Sequence, residues 1–278
     1  MGSTLDHQKS RLLRIAELRT PPLFWACEIT FEELVSHVRP EEADEFGHFR
    51  DALMWMEKLC GNSGMAETLP WILRRAVFVS SLPHEDSYLA TFNRLRRLVI
   101  KAGTFDEVPA EVVNHIARAR TAYRDRVEGW ARGLAVTLQE IQKRISRAKR
   151  RGDPIDVIDL ATRTVLFVTR SRAVEEAPLS GAVRSVDEQL ILQRERIAFE
   201  ASQVFKAGRP YNVFKHLTDY GDSWLCAYPA AGYTLVTQDD RLKKSLLLGR
   251  CVNPRVVSLD EALNIAEAWI ASGRSDRG

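Results

Sequence analysis

Two adjacent carboxylates, Asp239 and Asp240, come one residue after the short apolar run Thr234–Thr237. Two further acids, Glu33 and Asp222, lie just after another apolar run and at the start of a predicted helix. Ligands of parallel α/β sheets bind at the carboxyl ends of the strands. Carboxylates gathered there repel one another unless a cation neutralises them, and oxygen ligands suit Mg²⁺ or Mn²⁺. Glu33, Asp222 and Asp239 are therefore candidate ligands of a metal ion that activates water and clamps a phosphodiester.

Each of these carboxylates also has an ordinary structural interpretation. An Asp at a helix N-terminus commonly caps the helix, which fits Asp222 and Asp239. Glu33 forms a Thr-x-x-Glu pattern with Thr30, and this spacing is typical of a capping box. Periodicity alone does not show whether the acids meet in space, so both interpretations stay open.

The elements that would position these acids lie at the two ends of the chain. The apolar run Leu23–Ile29 predicts a buried strand, and FEELVSHV predicts a helix that ends before Pro40. After about residue 208, DSWLCAYPAAG predicts a helix, YTLVT a strand, DDRLKKSLLLG a helix, RVVSL a strand and LDEALNIAEAWIASG a helix. This alternation predicts a parallel α/β unit that the N-terminal elements can join.

The middle of the chain has an almost wholly helical pattern. Its longest segment begins at Pro109 and ends at Gly152-Asp153-Pro154, which predicts a helix of about forty residues. We therefore expect residues 1–40 and 206–278 to form the two parts of an α/β core. Residues 41–205 would form a helical insertion between them.

Three short motifs resemble one known family. The stretch DSWLCAYPAAGYTLVTQD, followed by RVVSLDEAL, is similar to the C-terminal half of the PIN-domain nucleases, and WACEITFEELVSHV is similar to their second strand and helix. The resemblance implies a PIN-like α/β/α sandwich with a short parallel sheet, here with a large all-helical insertion. It also implies an Mg²⁺- or Mn²⁺-dependent endoribonuclease that hydrolyses RNA phosphodiester bonds, with a toxin-like role and an antitoxin or other protein partner as a further expectation.

The resemblance also implies particular site residues. It places the acidic cluster at Glu33, Asp222 and Asp239, with Thr237 as the Thr of the strand end. Asp219 and Asp240 are close alternates, because the spacing between the acids can differ by a residue or so.

The first acid of the family departs from its usual pattern. The family begins with a strand that ends in Asp, whereas this chain offers only STLDHQ, so Asp6 is the candidate fourth metal ligand. Either Asp6 is a degenerate form of that ligand, or the first strand is missing. In the second case we expect a catalytically silent PIN-like module that binds nucleic acid or a partner protein through its helical region.

The densest charge of the chain lies in the predicted insertion, in QKRISRAKRR. Clustered Lys and Arg side chains neutralise phosphates and give affinity that is independent of base sequence. The segment predicts contact with RNA or another single-stranded nucleic acid, although a solvated helix face gives the same pattern. The candidate side chains are Lys143, Arg144, Arg147, Lys149, Arg150 and Arg151.

Composition narrows the class of protein. Forty basic and 37 acidic residues give a net charge of +3, so the overall charge indicates no partner. The four cysteines form no Cys-x-x-Cys pair, which is typical of thiols in a reducing compartment. No apolar stretch reaches the ~18–20 residues that span a bilayer, and the N-terminus lacks the apolar segment of a signal peptide. We expect a soluble, cytoplasmic protein with no membrane partner.

Overall fold

The computed structural model describes residues 4–18, 24–36, 38–39, 42–61, 64, 66–79, 87–176, 182–206, 211–251 and 255–272. Of the residues described, 77% are helical. Two short strands, β1 (Leu235–Val236) and β2 (Val256–Val257), pair in parallel. The helices are α1 (Thr4–Glu17), α2 (Glu28–Ser36), α3 (Ala43–Cys60), α4 (Leu69–Val77), α5 (Ser87–Lys101), α6 (Ala110–Arg151), α7 (Val157–Glu176), α8 (Val186–Leu192), α9 (Arg194–Lys206), α10 (Asp219–Leu225), α11 (Ala227–Ala230), α12 (Asp240–Leu248) and α13 (Leu259–Ala271).

The predicted PIN-like α/β/α sandwich is wrong, because the chain is mostly helical and β1 and β2 make up the sheet of the described residues. The run predicted as an N-terminal strand forms one bridge at Ala26, whose N–H donates to the Gly64 carbonyl at 2.7 Å. Helix α2 begins two residues later and buries Ile29, Phe31 and Val35. A short buried apolar run fits a helix turn as well as a strand, and here the helix forms.

Several local predictions are confirmed. The long helix α6 begins directly after Pro109 and ends at Arg151. Helix α12 begins after Asp239 and ends before Gly249, as the sequence pattern indicated. Helix α13 forms where it was predicted, and its first turn carries a capping box, not predicted from the sequence, in which Ser258 and Glu261 bond each other's backbone N–H groups. Within the described part of the chain, no helix is both long and apolar enough to cross a membrane.

The chain forms two compact units. The first comprises Met1–Glu67, His84–Tyr123 and Val257–Gly278, and the second comprises Thr68–Pro83 and Arg124–Val256. The domain bounds expected at residues 1–40, 41–205 and 206–278 stay a prediction.

In the first unit, α1 from the start of the chain packs against α13 from its end. Ile15 packs with Leu263 in a buried apolar cluster. Beside it, Glu267 accepts hydrogen bonds from Arg11 Nη2 at 2.7 Å and from Arg14 Nη2 at 2.6 Å. The Arg11 hydrogen bond is the main reason that the pKa of Glu267 falls to about 2. A second apolar cluster joins α2, α3, α5 and the start of α6.

In the second unit, α9 is the central helix. Every residue from Glu195 to Val204 is buried, and α7 and α12 pack against the helix. A Cβ atom at Gly249 would collide with the carbonyl group of Ala198, so only Gly allows the end of α12 to lie this close to α9. Because every residue from Glu195 to Val204 is buried, the polar side chains in this part of α9 are shielded from water.

Candidate functional site

Asp239 is the N-cap of α12. Its carboxylate accepts a hydrogen bond from the Arg241 backbone N–H at 2.7 Å and pairs with Arg241 Nη2 at 3.2 Å. Burial alone would raise the pKa of Asp239, but the hydrogen bonds and charge of Arg241 together lower it. Thr237 Oγ1 accepts from the Asp239 N–H at 3.1 Å, so it supports the cap. The cap interpretation is confirmed, and Asp240 is the exposed first residue of the helix.

Asp219 and Asp222 lie in the first turn of α10. The Tyr211 hydroxyl donates to Asp219 Oδ2 at 2.7 Å. Burial, followed by this hydrogen bond and by the nearby negative charges, raises the pKa of Tyr211. The pKa of the Arg241 guanidinium is raised first by its hydrogen bond to Asp239, and more weakly by the charges of Asp222 and Asp219. These three acids therefore share one electrostatic neighbourhood, in which Arg241 supplies a positive charge.

Glu33 lies in the first compact unit, whereas Asp222 and Asp239 belong to the second. The Tyr123 hydroxyl donates to Glu33 Oε1 at 3.3 Å. The capping box expected between Thr30 and Glu33 is wrong, because α2 begins at Glu28 and Thr30 lies inside the helix. The predicted meeting of Glu33 with the other acids stays a prediction.

Asp6 lies in the first turn of α1 and not at the end of a strand. Its carbonyl accepts a hydrogen bond from the Ser10 hydroxyl at 3.0 Å, as is common along a helix. The residue thus lacks the strand-end setting that the resemblance implied for a first acidic ligand.

The predicted Mg²⁺ or Mn²⁺ site at Glu33, Asp222 and Asp239 stays a prediction. Among the residues that the structure describes, no three His, Cys, Asp or Glu side chains form a group that could hold a metal ion. The carboxylates of Asp239 and Asp219 instead accept hydrogen bonds from Arg241 and Tyr211. Metal-dependent hydrolysis of RNA stays a prediction, and no catalytic step is assigned to these side chains.

A buried polar network in the second unit is absent from the sequence-based prediction. Glu200 accepts hydrogen bonds from Trp130 Nε1 at 3.4 Å and from the Ser223 hydroxyl. Arg196 lies 3.8 Å from Glu200, and its guanidinium stacks 4.4 Å from the centre of the Trp224 ring. The signal in the sequence is the i, i+4 spacing of this Arg and Glu within RERIAFEASQ, where apolar residues occupy the surrounding helix positions.

A small cavity lies beside this network. Its volume is about 30 Å³, and its walls include Leu134 and Val165 as well as Trp130, Arg196 and Glu200. A cavity of this size holds roughly one water molecule. The network joins α6, α9 and α10 through Trp130, Glu200 and Ser223.

The basic residues at the C-terminal end of α6 form a cationic end, defined here as Lys143–Arg151. All six of its Lys and Arg side chains are exposed. At about 100° per residue, five of the six fall within an arc of roughly 120°. The opposite face carries the buried Leu134, Leu138 and Ile141. The helix thus anchors itself through one face and presents cations on the other.

Few acids neutralise the cationic end. Arg144 pairs with Glu140 at 3.2 Å, and Arg150 donates to the Ser146 carbonyl at 3.4 Å. For Lys143, Arg147, Lys149 and Arg151, the described residues supply no ion-pair partner. A compact group of solvated cations is chemically suited to bind phosphate groups.

The carboxylates and the cationic end therefore differ in whether their charged groups are available to a ligand. The acids are engaged with hydrogen-bond donors of the same chain, whereas most of the cations face solvent. No protein-family model, curated protein or solved structure matches this chain.

Proposed function

We propose that this chain binds RNA through the cationic end of α6, without reading base sequence. The observation that carries the proposal is the exposure of six Lys and Arg side chains within Lys143–Arg151, a segment that contains no acid. Each phosphate contact releases counterions, and this release supplies affinity for any sequence. Arg side chains can also bind phosphate oxygens through two parallel hydrogen bonds.

The helix dipole explains only part of this charge. Cations in the last turn of a helix stabilise its carbonyl end, which accounts for Lys149, Arg150 and Arg151. Lys143, Arg144 and Arg147 lie one turn or more before that end, where the dipole effect has fallen off. The helix dipole therefore does not account for the earlier cations.

In the earlier part of α6, an exposed cation has an acidic side chain nearby. Arg132 lies 3.9 Å from Glu128, one turn away, so an acid accompanies the cation. In Lys143–Arg151 only Arg144 keeps such a partner, Glu140 at 3.2 Å, and the segment itself places six cations with no acid between them. Uncompensated repulsion among neighbouring cations favours an anionic ligand.

The test compares two triple variants with the same loss of charge. Replacing Arg147, Arg150 and Arg151 with Gln should weaken binding of a single-stranded RNA roughly tenfold or more at low salt. The slope of log affinity against log salt should fall by about 2, since each contact contributes about 0.7 on single strands. The matched control replaces Arg118, Arg120 and Arg124 of the same helix with Gln.

The result for the control decides between a specific surface and bulk charge. Equal losses for both triple variants would show that overall charge, and not the cationic end, determines binding. Unchanged affinity in the first variant would end the proposal and favour a protein partner at this surface. Unrelated RNA sequences should lose affinity equally, because phosphate contacts carry no base information.

A cytoplasmic setting belongs to this proposal. All four cysteines, Cys27, Cys60, Cys226 and Cys251, are free thiols. Thiols remain reduced in the cytosol, where RNA is also available. The proposal includes binding alone and contains no hydrolytic step.

A further inference from the structure

Four cations of the cationic end form two parallel rows along α6. Lys143 and Arg150 are seven residues apart and share one line on the helix surface, and Arg144 and Arg151 form a second line. Seven residues rise about 10.5 Å along the axis, and the two lines are separated by roughly 100° around it. Arg147 lies between the rows, both along the axis and around it.

Two separate rows of cations can contact two lines of phosphates at once. On a helix whose radius with side chains is about 5–6 Å, the two lines are roughly 8 Å apart. Extended Lys and Arg side chains carry the charges still further apart. A single RNA strand presents one line of phosphates, whereas an A-form duplex presents two lines along its wide, shallow minor groove.

We infer that the cationic end binds double-stranded RNA, with one row of cations on the phosphates of each strand. This inference rests on the proposed function and adds the form of RNA that is bound. The apolar face of α6 fixes the rows, because Leu138 and Ile141 are buried and prevent the helix from rotating about its axis. The rows therefore keep fixed directions on the helix, and Arg144 exchanges its ion pair with Glu140 for a phosphate on binding.

The decisive variant moves one row without changing the net charge. Arg144→Gln and Arg151→Gln remove the second row, while Gln139→Arg and Ser146→Arg rebuild it on another line of the helix. Gln139 and Ser146 are exposed and also seven residues apart. The rebuilt row lies only about 40° from the row of Lys143 and Arg150, so the pair becomes nearly a single line.

The experiment measures affinity of the wild-type chain and of this relocated variant for a short RNA duplex and for each of its single strands, at one salt concentration. A duplex binds any cation more tightly because of its higher charge density, so duplex preference alone decides nothing. The inference requires that the relocated variant lose about fivefold or more in duplex affinity and keep its single-strand affinity. An unchanged far-ultraviolet circular dichroism spectrum is required to show that the relocated variant is folded.

Two other results are distinguishable from one another. Equal duplex affinity for the wild-type chain and the relocated variant would overturn the two-row inference and leave the proposed function standing. If the wild-type chain binds neither the duplex nor the single strands, both the inference and the proposed function are overturned.

Discussion

Arg241 contacts the Asp239 carboxylate in two ways. Its backbone N–H donates a hydrogen bond at 2.7 Å, and its guanidinium forms an ion pair at 3.2 Å. The first contact caps α12, and the second neutralises the carboxylate beside Asp222 and Asp219. In a metal site the same carboxylate would instead keep its oxygens for the ion. The two arrangements predict opposite effects when the charge of Asp239 is removed.

Replacing Asp239 with Ala should lower the free energy of unfolding by about 1 kcal/mol, because the helix loses its N-cap. Urea unfolding at neutral pH without added metal measures the change. Asp240→Ala is the control, since Asp240 is exposed and caps nothing, and it should change stability by less than about 0.5 kcal/mol. A clear gain in stability for Asp239→Ala would reveal a repulsive acidic cluster and revive the metal-site interpretation.

Removing the Glu267 carboxylate should make the stability of the protein less dependent on acid pH. The folded-state pKa of Glu267, about 2, lies below its ordinary value of 4.5, chiefly because of the Arg11 hydrogen bond. Its contribution is therefore complete above the unfolded-state pKa and is lost as pH falls toward 2. The melting-temperature difference between wild type and Glu267→Gln should be constant near neutral pH and should shrink below about pH 4.5. A difference that grows in acid would contradict this linkage.

Two Gly→Ala substitutions should have opposite effects in the second unit. Gly249→Ala places a Cβ against the Ala198 carbonyl, and this overpacking should cost about 1–3 kcal/mol. Gly129 lies inside α6 and has open space around its missing Cβ. Gly129→Ala should therefore stabilise the protein by about 0.5–1 kcal/mol through helix propensity. Chemical denaturation of both variants checks the pair, and a neutral Gly249→Ala would show that α12 does not approach α9 so closely.

Glu200→Ala should be one of the most damaging single changes in the second unit. It removes the partner of Arg196 in a setting where both side chains are only 5% exposed. Breaking a buried pair of this kind costs about 3–5 kcal/mol. Glu140→Ala breaks the exposed pair with Arg144 and should cost less than about 1 kcal/mol. Similar losses for both variants would mean that water reaches the Glu200 network.

Signals that act over a few residues made much of the fold predictable. Pro109 and Gly152 bound α6, and Asp239 and Gly249 bound α12. Each signal works through backbone hydrogen bonds within one or two turns, so its outcome depends little on the rest of the chain. The helix bounds in these segments followed from the sequence for that reason.

The sheet and the buried network depend on contacts between distant residues. The run around Ala26 has the composition of a strand, but it finds one bridge to Gly64 and Ala66 and then turns into α2. The spacing of Arg196 and Glu200 among apolar residues indicates a buried pair, but it does not show that Trp130 on another helix donates a hydrogen bond to Glu200. The local pattern identifies neither the bridge partners of Ala26 nor the hydrogen-bond donor of Glu200. Apolar periodicity indicates that a residue is buried but not which residue it contacts.

The burial of α9 has a consequence for the way in which the second unit loses its structure. Backbone amides from Glu195 to Val204 can reach solvent only after neighbouring helices such as α7 and α12 have moved away. Hydrogen exchange along this helix therefore reports the opening of the unit as a whole, while the exposed end of α6 can fray alone. We expect the second unit to open cooperatively, with its central helix as the last protected element.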